Sequence, residues 1–279
     1  MRYQWVCKIF ILYIYTSSIG FIKQSMLIII SPAKRLELEK LPPLYNPTIP
    51  DFLEHSEKLI KKLKTFSKKK LTGLMDLSEE LVRLNIERYA RWQLPFSEEN
   101  SFQTIYTFQG DVYRKLDASS LDEDDLIFAQ EHLRILSGLY GVLRPLDLIQ
   151  PYRLEMGTKL VYRQKKNLYE FWGNIISDTI NQLLEEQKSK VLINLASNEY
   201  FKSVKPRQIK TPIITPIFKD FKNGEYKVLF LFAKYARGLM TRYIIKNKIE
   251  TAEELKLFNE EGYSFDSNLS TDNDWVFNR

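Results

Sequence analysis

The first strong folding signal in the chain is the stretch MLIIISPAK at residues 26–34. Residues 27–30 are apolar without interruption, and Ser31-Pro32-Ala33-Lys34 ends the run, a pattern typical of a buried β-strand. A second run, at residues 191–195, has the same character, and Ser197 or Asn198 after it is a predicted helix cap. Open α/β sheets bind ligands in crevices at the carboxyl ends of strands, so Lys34 and the residues after 195 are candidates for one such crevice.

Outward from these two runs, periodicity and capping patterns predict the other elements. Helices are predicted at residues 52–63, 71–92 (one or two helices), 97–108, 120–136, 168–184, 199–205 and 233–246, and from 251. Further strands are predicted at residues 159–162, 213–218, 226–232, 263–266 and 275–277, with Asn223-Gly224 as a hairpin signal. The order predicts a mixed α/β (α+β) fold, a single compact body with a central β core surrounded by helices.

Composition excludes several classes of protein. With 44% hydrophobic and 13% aromatic residues in 279, the chain can bury a large core and is neither disordered nor of low complexity. Its one cysteine, Cys7, excludes an intrachain disulfide framework and a cysteine-based metal cage. Two histidines, His55 and His132, are too few for a histidine-rich metal site, and the acidic residues 122–125 are better explained as a helix start. We therefore expect no metal and no cofactor.

Residues 1–25 differ from the rest of the chain. They contribute +3 to a net charge of +6 and contain no acidic residue. Their basic start, the apolar run at residues 9–14 and the small residues Ser18 and Gly20 resemble a secretory signal, and the run is too short to span a membrane. We favour the alternative, translation from Met26, because the remainder has no secreted character. The sequence therefore predicts a dispensable extension at 1–25 and one domain at 26–279.

From residue 26 onward the chain resembles YaaA, a family of bacterial peroxide stress proteins. The resemblance is carried by MLIIISPAK at 26–34, FQGDVY at 108–113, LRILSGLYGVLRPLDLIQPYRLEMG at 133–157, FWG at 171–173, NLASNEYFKSVKP at 194–206, ARGLMTRYII at 236–245 and FNEEGYSFD at 258–266. It implies a cytoplasmic protein of the response to hydroperoxide, which limits damage linked to intracellular iron. It also implies a family-specific fold with a helix-hairpin-helix element that binds double-stranded DNA in a positively charged cleft. No catalytic activity is implied, and we expect no membrane partner and a monomer.

The helix-hairpin-helix has two candidate positions. Such an element binds phosphate through backbone N–H groups of a glycine-containing hairpin and does not read bases. Gly138 and Gly141 follow the predicted helix at 120–136, although they are three residues apart rather than the usual two. Residues 71–85, with the lysine run 68–70 before them, are the other candidate, and the sequence does not decide between them.

Seven cations are predicted to bind DNA or another anion, without preference for base sequence. Lys234 and Arg237 share a predicted helix face with Gly238 and Thr241, which would let an anion approach the helix closely. The others follow predicted strands or stand among prolines that would hold an arginine ready for phosphate. The seven are Lys34, Arg144, Arg153, Lys202, Lys205, Lys234 and Arg237.

Two of these interpretations have alternatives. Arg153 could form a structural ion pair with Glu155 instead of binding an anion. The chain could also be an enzyme that acts on a phosphate-bearing or nucleotide substrate at the strand-end crevice, with Lys202 and Glu199 as acid and base groups. Because no nucleophile–base pair with recognisable spacing occurs, we favour the DNA-binding function. A shared cleft requires Lys34, Lys202, Lys205 and Arg237 to converge in the structure.

Overall fold

The apolar run after residue 26 forms the central strand of the fold. In the computed structural model, strand β1 spans Met26–Ile30, and all five of its side chains are buried. It pairs in parallel with Leu133–Ser137 on one side and with Val191–Asn194 on the other. A strand between two parallel neighbours is covered on both faces, which explains why its sequence does not alternate between apolar and polar residues.

The structure describes residues 26–38, 45–187 and 190–279. Its strands are β1 (Met26–Ile30), β2 (Arg35–Leu36), β3 (Phe102–Gln103), β4 (Phe108–Gln109), β5 (Leu133–Ser137), β6 (Gly141–Leu143), β7 (Leu148–Ile149), β8 (Val191–Asn194), β9 (Ile213–Lys222), β10 (Glu225–Lys227), β11 (Ser264–Asp266) and β12 (Asp274–Asn278). Eight of them form one sheet in the order β11-β12-β9-β8-β1-β5-β6, with β10 paired to β9. The five strands from β12 to β5 are parallel, and β6, β10 and β11 are added antiparallel.

Helices flank this sheet. They are α1 (Leu53–Lys64), α2 (Lys68–Met75), α3 (Glu79–Arg91), α4 (Thr104–Thr107), α5 (Asp111–Leu116), α6 (Glu123–His132), α7 (Leu168–Trp172), α8 (Ile175–Glu186), α9 (Asn198–Phe201) and α10 (Phe230–Lys246). Short 3-10 helices occur at Ala118–Ser120, Lys202–Val204, Pro206–Gln208, Ala252–Leu257 and Glu260–Gly262. The predicted mixed α/β class, with a β core surrounded by helices, is confirmed.

The predicted helix at 120–136 is wrong in its last four residues. Helix α6 ends at His132, and Leu133–Ser137 continues directly as strand β5, which pairs with β1. An apolar run of this length suits a buried helix and a buried strand equally, so pairing with β1 decides the outcome. The helix start also differs, because the capping box joins Asp122 and Asp125 instead of Ser120 and Glu123.

Other predicted elements are shorter or broken. The predicted helix at 97–108 is reduced to Thr104–Thr107, because Phe102–Gln103 pairs as a strand with Leu148–Ile149. The predicted helix at 168–184 is two helices, interrupted at Gly173, whose φ is +54°. The Asn223-Gly224 hairpin is confirmed by the pairing of β9 with β10. That pairing ends at Lys227, however, and Phe230 already begins helix α10. At 159–162, only an isolated bridge from Tyr162 to Lys165 is present.

Helix α10 packs closely against helix α5. A β-carbon at Gly238 would lie far inside van der Waals contact with the carbonyl oxygen of Val112 in α5. Thr241, one turn later, is fully buried and donates to the carbonyl oxygen of Arg237 at 2.8 Å. The small residues on this face therefore serve helix packing. The expectation that an anion approaches α10 at Gly238 and Thr241 is wrong, because α5 occupies that position.

The predicted extension at residues 1–25 lies outside the described residues. Among the helices that the structure describes, none combines the length and the apolar character that crossing a lipid bilayer would require.

Candidate functional site

The carboxyl ends of β1 and β8 form the switch point of the parallel sheet. From β1 the chain continues to β5 on one side, and it later adds β8 and β9 on the other side. The segments that leave β1 and β8 therefore diverge, and open α/β sheets bind ligands between such segments. We call this place the strand-end crevice, and define it by residues 31–34, 153–157 and 197–202.

Two serines join the strand ends across the crevice. The backbone N–H of Ser197 donates to Ser31 Oγ at 2.9 Å, and Ser31 Oγ donates to Ser197 Oγ at 3.2 Å. Both residues are half-buried. Since Ser31 uses its only hydroxyl hydrogen in this bond, the hydroxyl hydrogen of Ser197 has no acceptor in the described part of the chain. The two predicted strand ends thus meet, with one donor left for a ligand.

A single carboxylate holds two of the predicted cations. Glu155 Oε2 lies 2.6 Å from Lys34 Nζ, and Glu155 Oε1 accepts from Arg153 Nη2 at 2.9 Å and from Nε at 3.2 Å. The ion pair of Arg153 with Glu155, which the sequence left open, is therefore present. The Lys34 side chain is 65% exposed and that of Glu155 only 22%. The three groups together carry a net charge of +1, which Lys34 presents to solvent.

Glu199 and Lys202 form the opposite wall of the crevice. Glu199 Oε1 accepts the backbone N–H of Gly157 at 2.8 Å, while its Oε2 has no partner among the described residues. A β-carbon at Gly157 would lie 3.1 Å from Oε1, so the glycine permits this close approach. Lys202 Nζ lies 5.0 Å from the ring centre of Tyr169, and within the described ranges no carboxylate pairs with it. The Tyr169 hydroxyl donates to the carbonyl oxygen of Glu199 at 2.9 Å.

Three buried tyrosines lie beneath these groups. The Tyr113 hydroxyl donates to the carbonyl oxygen of Ser31 at 3.0 Å, and the Tyr152 hydroxyl lies 2.6 Å from Ser137 Oγ. Burial raises the pKa of Tyr113, Tyr152 and Tyr200 well above the usual value for tyrosine. All three are therefore neutral at physiological pH. The charge of the crevice comes from its lysine, arginine and glutamate side chains alone.

Arg144 lies far from the crevice. Leu143 in β6 pairs antiparallel with Ile135 in β5, so residue 144 lies at the amino end of β5, opposite the strand-end crevice. Its guanidinium binds the buried Asp147 at 3.0 Å and the carbonyl oxygen of Ile49 at 2.7 Å. The structure therefore separates Arg144 from Arg153, and Arg144 stabilises the fold around Asp147.

The remaining predicted cations lie on neighbouring elements. Lys205 Nζ donates to Asn174 Oδ1 at 2.7 Å. Lys234 Nζ lies 3.8 Å from Asp111 Oδ2, at the start of α5. Arg237, one turn after Lys234, is half-buried, and burial lowers the pKa of its guanidinium. No hydrogen-bond or ion-pair partner of that guanidinium occurs in the described part of the chain. Lys34 and Lys202 flank the crevice, whereas Lys205 is turned toward Asn174, and a role in DNA binding stays a prediction for all of these cations.

The helices α2 and α3 form a hairpin. Three residues, Asp76-Leu77-Ser78, join them, and Asp76 has a left-handed backbone with φ of +50°. Ser67 accepts from the Lys70 N–H at 3.3 Å, and Ser78 accepts from the Leu81 N–H at 3.4 Å, so a serine caps each helix. Of the two candidate helix-hairpin-helix positions, residues 71–85 thus have helices on both sides.

Gly138 and Gly141 lie between strands instead. They belong to the turn that joins β5 to β6, where Ser137 pairs with Gly141. A β-carbon at Gly138 would clash with the carbonyl oxygen of Leu154, and one at Gly141 would lie 2.8 Å from the Trp172 ring. Both glycines are required by close packing. This stretch is therefore not a hairpin between two helices.

A dense group of lysines precedes and begins the α2–α3 hairpin. We call Lys61, Lys62, Lys64, Lys68, Lys69 and Lys70 the lysine patch; residues 61–70 include no acid. All but Lys62 are exposed. Lys70 and Lys62 lie 4.1 and 5.5 Å from the Phe66 ring centre. In the described part of the chain, Lys68 and Lys69 have no acidic partner. The sequence showed this charge density, but the patch was not among the predicted binding residues.

A cavity of about 530 Å³ lies beside helix α3 and strand β3. Its lining includes Glu87, Arg88 and Arg91, together with apolar side chains such as Leu84 and Phe102. Burial, and to a smaller extent the charge of Arg153, lowers the pKa of Arg88, whose Nε is buried without a hydrogen-bond partner in the described structure. The hydroxyl of Tyr89 donates to the carbonyl oxygen of Arg153. This hydrogen bond joins helix α3 to residue 153 at the edge of the crevice.

Comparisons with a protein-family model and with individual proteins agree on the relatives of this chain. Residues 26–269 match the family described as peroxide stress protein YaaA. The chain belongs to the YaaA family. It is 51% identical over 254 residues to a UPF0246 protein of Janthinobacterium sp. (strain Marseille), and 52% identical over 254 residues to one of Aliivibrio fischeri (strain MJ11). Each alignment covers 91% of this chain and 98% of the relative.

Membership in the YaaA family confirms the resemblance found in the sequence motifs and supports a role in peroxide stress. The motifs that carry the resemblance also supply the crevice. MLIIISPAK contributes Ser31 and Lys34, and NLASNEYFKSVKP contributes Ser197, Glu199 and Lys202. Sequence reasoning missed the bond between Ser31 and Ser197 and the contact of Gly157 with Glu199. The bond between the serines depends on the pairing of β1 with β8, and the contact of Gly157 with Glu199 uses a backbone N–H. Residue identity gives no signal of either.

Proposed function

We propose that this YaaA-family protein acts in the cytoplasmic response to peroxide by binding duplex DNA, without preference for base sequence. The observation that carries the proposal is the α2–α3 hairpin with its lysine patch. Six lysines in ten residues, with no acid among them, supply the local positive charge that binds phosphates. The net charge of +6 for the whole chain is too small to do so unless the cations are clustered.

The geometry of the hairpin supports contact with a DNA backbone. The cap residues Ser67 and Ser78 leave other N–H groups of the first turns of α2 and α3 open to solvent, since each serine side chain accepts from one N–H. Lys68–Lys70 lie in the first turn of α2, where a cation is unfavourable in the isolated protein and an anionic partner is favourable. A phosphate at this position is stabilised both by the lysine side chains and by the free N–H groups at the helix start.

The cations predicted from sequence are a weaker basis for DNA binding than the patch. Arg144, Arg153 and Lys234 have carboxylate partners, which reduces their net attraction for phosphate. Lys68 and Lys69 are exposed and lack such partners in the described structure. We therefore assign the principal DNA contacts to the lysine patch.

The test is a charge-neutralising variant with a matched control. We expect K68Q/K69Q/K70Q to lower the affinity for duplex DNA at least tenfold at about 50 mM salt, and to reduce the slope of log affinity against log salt by up to about three units. Fluorescence anisotropy with a labelled duplex measures both quantities.

The control variant K210Q/K222Q/K227Q removes the same charge at and beside β9. In the strand order of the sheet, β9 lies on the other side of β1 from β5 and β6. We expect it to lower the affinity by less than threefold. Equal losses in the two triple variants would contradict the assignment of the contacts to the hairpin, because the effect would then follow from net charge alone.

A further inference from the structure

The strand-end crevice has the properties of a small-molecule site that is separate from the DNA-binding hairpin. It lies at the switch point of a parallel sheet, the place where open α/β sheets bind their ligands. Its walls come from three separate parts of the chain, at residues 31–34, 153–157 and 197–202. Hydrogen bonds and ion pairs tie these parts to one another, so the site is preorganised.

Several polar groups in the crevice have unused hydrogen-bonding capacity. The hydroxyl hydrogen of Ser197 has no acceptor among the described residues. Lys34 Nζ has one carboxylate partner at 2.6 Å and can still donate two hydrogen bonds. Lys202 contacts an aromatic ring rather than an acid. A ligand that accepts from these three donors would satisfy them together.

The charge balance identifies the kind of acceptor. Lys34, Arg153 and Lys202 face Glu155 and Glu199, which leaves one positive charge in the crevice. The tyrosines below the crevice are neutral, because burial raises the pKa of each. This excess of positive charge favours an anionic ligand, and donation from lysine and serine suits the oxygens of a phosphate.

Glu199 indicates that the ligand is more than a free phosphate. Its Oε1 is occupied by the Gly157 N–H, and its Oε2 remains an acceptor on the same wall as Ser197. A carboxylate beside a phosphate site would repel the anion unless it binds a hydroxyl or amine of the same molecule. In dinucleotide-binding sheets, an acidic side chain of this kind accepts from a ribose hydroxyl.

We propose that the strand-end crevice binds a phosphate ester of a sugar, either a nucleotide or a sugar phosphate. Lys34 and Ser197 contact the phosphate, and the Glu199 carboxylate accepts from hydroxyls of the sugar. This binding is independent of the DNA contacts at the lysine patch.

Isothermal titration of the full chain with three probes tests the proposal: AMP, ribose 5-phosphate and inorganic phosphate. We expect both esters to bind, at least tenfold more tightly than inorganic phosphate. K34Q should weaken the binding of every phosphate-bearing probe at least tenfold. E199Q should weaken the binding of the two esters by a similar factor, whereas inorganic phosphate should bind as tightly as before or more tightly, because a repelling charge is removed. AMP binding more tightly than ribose 5-phosphate would identify a nucleotide, and equal affinities would identify a sugar phosphate; either supports the proposal.

The control is K222Q, which neutralises an exposed lysine on β9 and should leave all three affinities unchanged. Thermal unfolding checks that each variant folds, and S197A replaces K34Q if the latter does not.

Failure of all three probes to bind would overturn the proposal. The proposal would also be overturned if the esters bound no better than inorganic phosphate, or if E199Q did not change their affinity. DNA binding is measured separately and should change less than threefold in E199Q and S197A, so failure of this proposal is distinguishable from failure of DNA binding.

Discussion

At the scale of single residues, Gly238 shows how one missing side chain determines a helix contact. The carbonyl oxygen of Val112 occupies the position of its β-carbon, so any larger residue would push α10 away from α5. Gly73 is the natural comparison, since it also lies in a helix but a β-carbon there would meet no atom within 4 Å. The two glycines therefore have opposite consequences for stability.

We expect G238A to destabilise the protein by about 1–3 kcal/mol through overpacking. G73A should instead stabilise it by about 0.5–1 kcal/mol, because alanine favours the helix and nothing obstructs it. Urea unfolding of both variants measures the changes. A G238A protein as stable as the wild type would show that the α5–α10 contact differs from the one described.

Asp125 is the residue for which the structure predicts a pH dependence. Burial alone would raise its pKa, but hydrogen bonds from Lys246 and Lys248 outweigh burial and lower the pKa to about 2. A carboxyl group whose pKa is lower in the folded state stabilises the protein above its unfolded pKa of about 4, and this stabilisation is lost as pH falls toward 2.

We expect D125N to lower the free energy of unfolding by about 1–2 kcal/mol at pH 7, the smaller value applying if solvent screens the partly exposed lysines. The difference between wild type and D125N should shrink steadily below about pH 4. Urea unfolding at several pH values measures it. A difference that stays constant from pH 7 to pH 3 would contradict the assigned pKa.

At the scale of elements, the sequence-based predictions were most accurate where the conformation of an element is determined by its own residues. An unbroken apolar run indicates the strand at Met26–Ile30, and an amphipathic repeat indicates the helix at Leu53–Lys64. The pair Asn223-Gly224 indicates the hairpin between β9 and β10. The segment Leu133–Ser137 carries none that separates strand from helix. Its pairing with β1, about a hundred residues away in the chain, decides its conformation.

The same distinction holds for the candidate site. Lys34, Ser197, Glu199 and Lys202 could be named from the sequence because each follows an apolar run that ends in polar residues. Their convergence could not be derived from local pattern, since it depends on β8 pairing beside β1. The close packing at Gly238 was also invisible, because the spacing that suits an anion equally suits a second helix.

At the scale of the whole molecule, the charges divide into two groups. Near the crevice, Lys34 and Arg153 pair with Glu155, and Lys234 pairs with Asp111, whereas the lysine patch has only the Lys61–Glu57 pair at 2.9 Å within the described structure. The patch is therefore the surface from which a long-range attraction for a polyanion would arise. Our central proposal, that this YaaA-family protein binds DNA through phosphate contacts, rests on that imbalance.

The most direct measurement of this claim is the salt dependence of duplex DNA binding by the wild-type protein. Anisotropy titrations are made from about 50 to 200 mM salt on two duplexes of unrelated sequence. We expect log affinity to fall linearly with log salt, by orders of magnitude over this range, and equally for both duplexes, because each neutralised phosphate releases counterions. An affinity that does not change with salt, or no binding at about 50 mM, would contradict the claim.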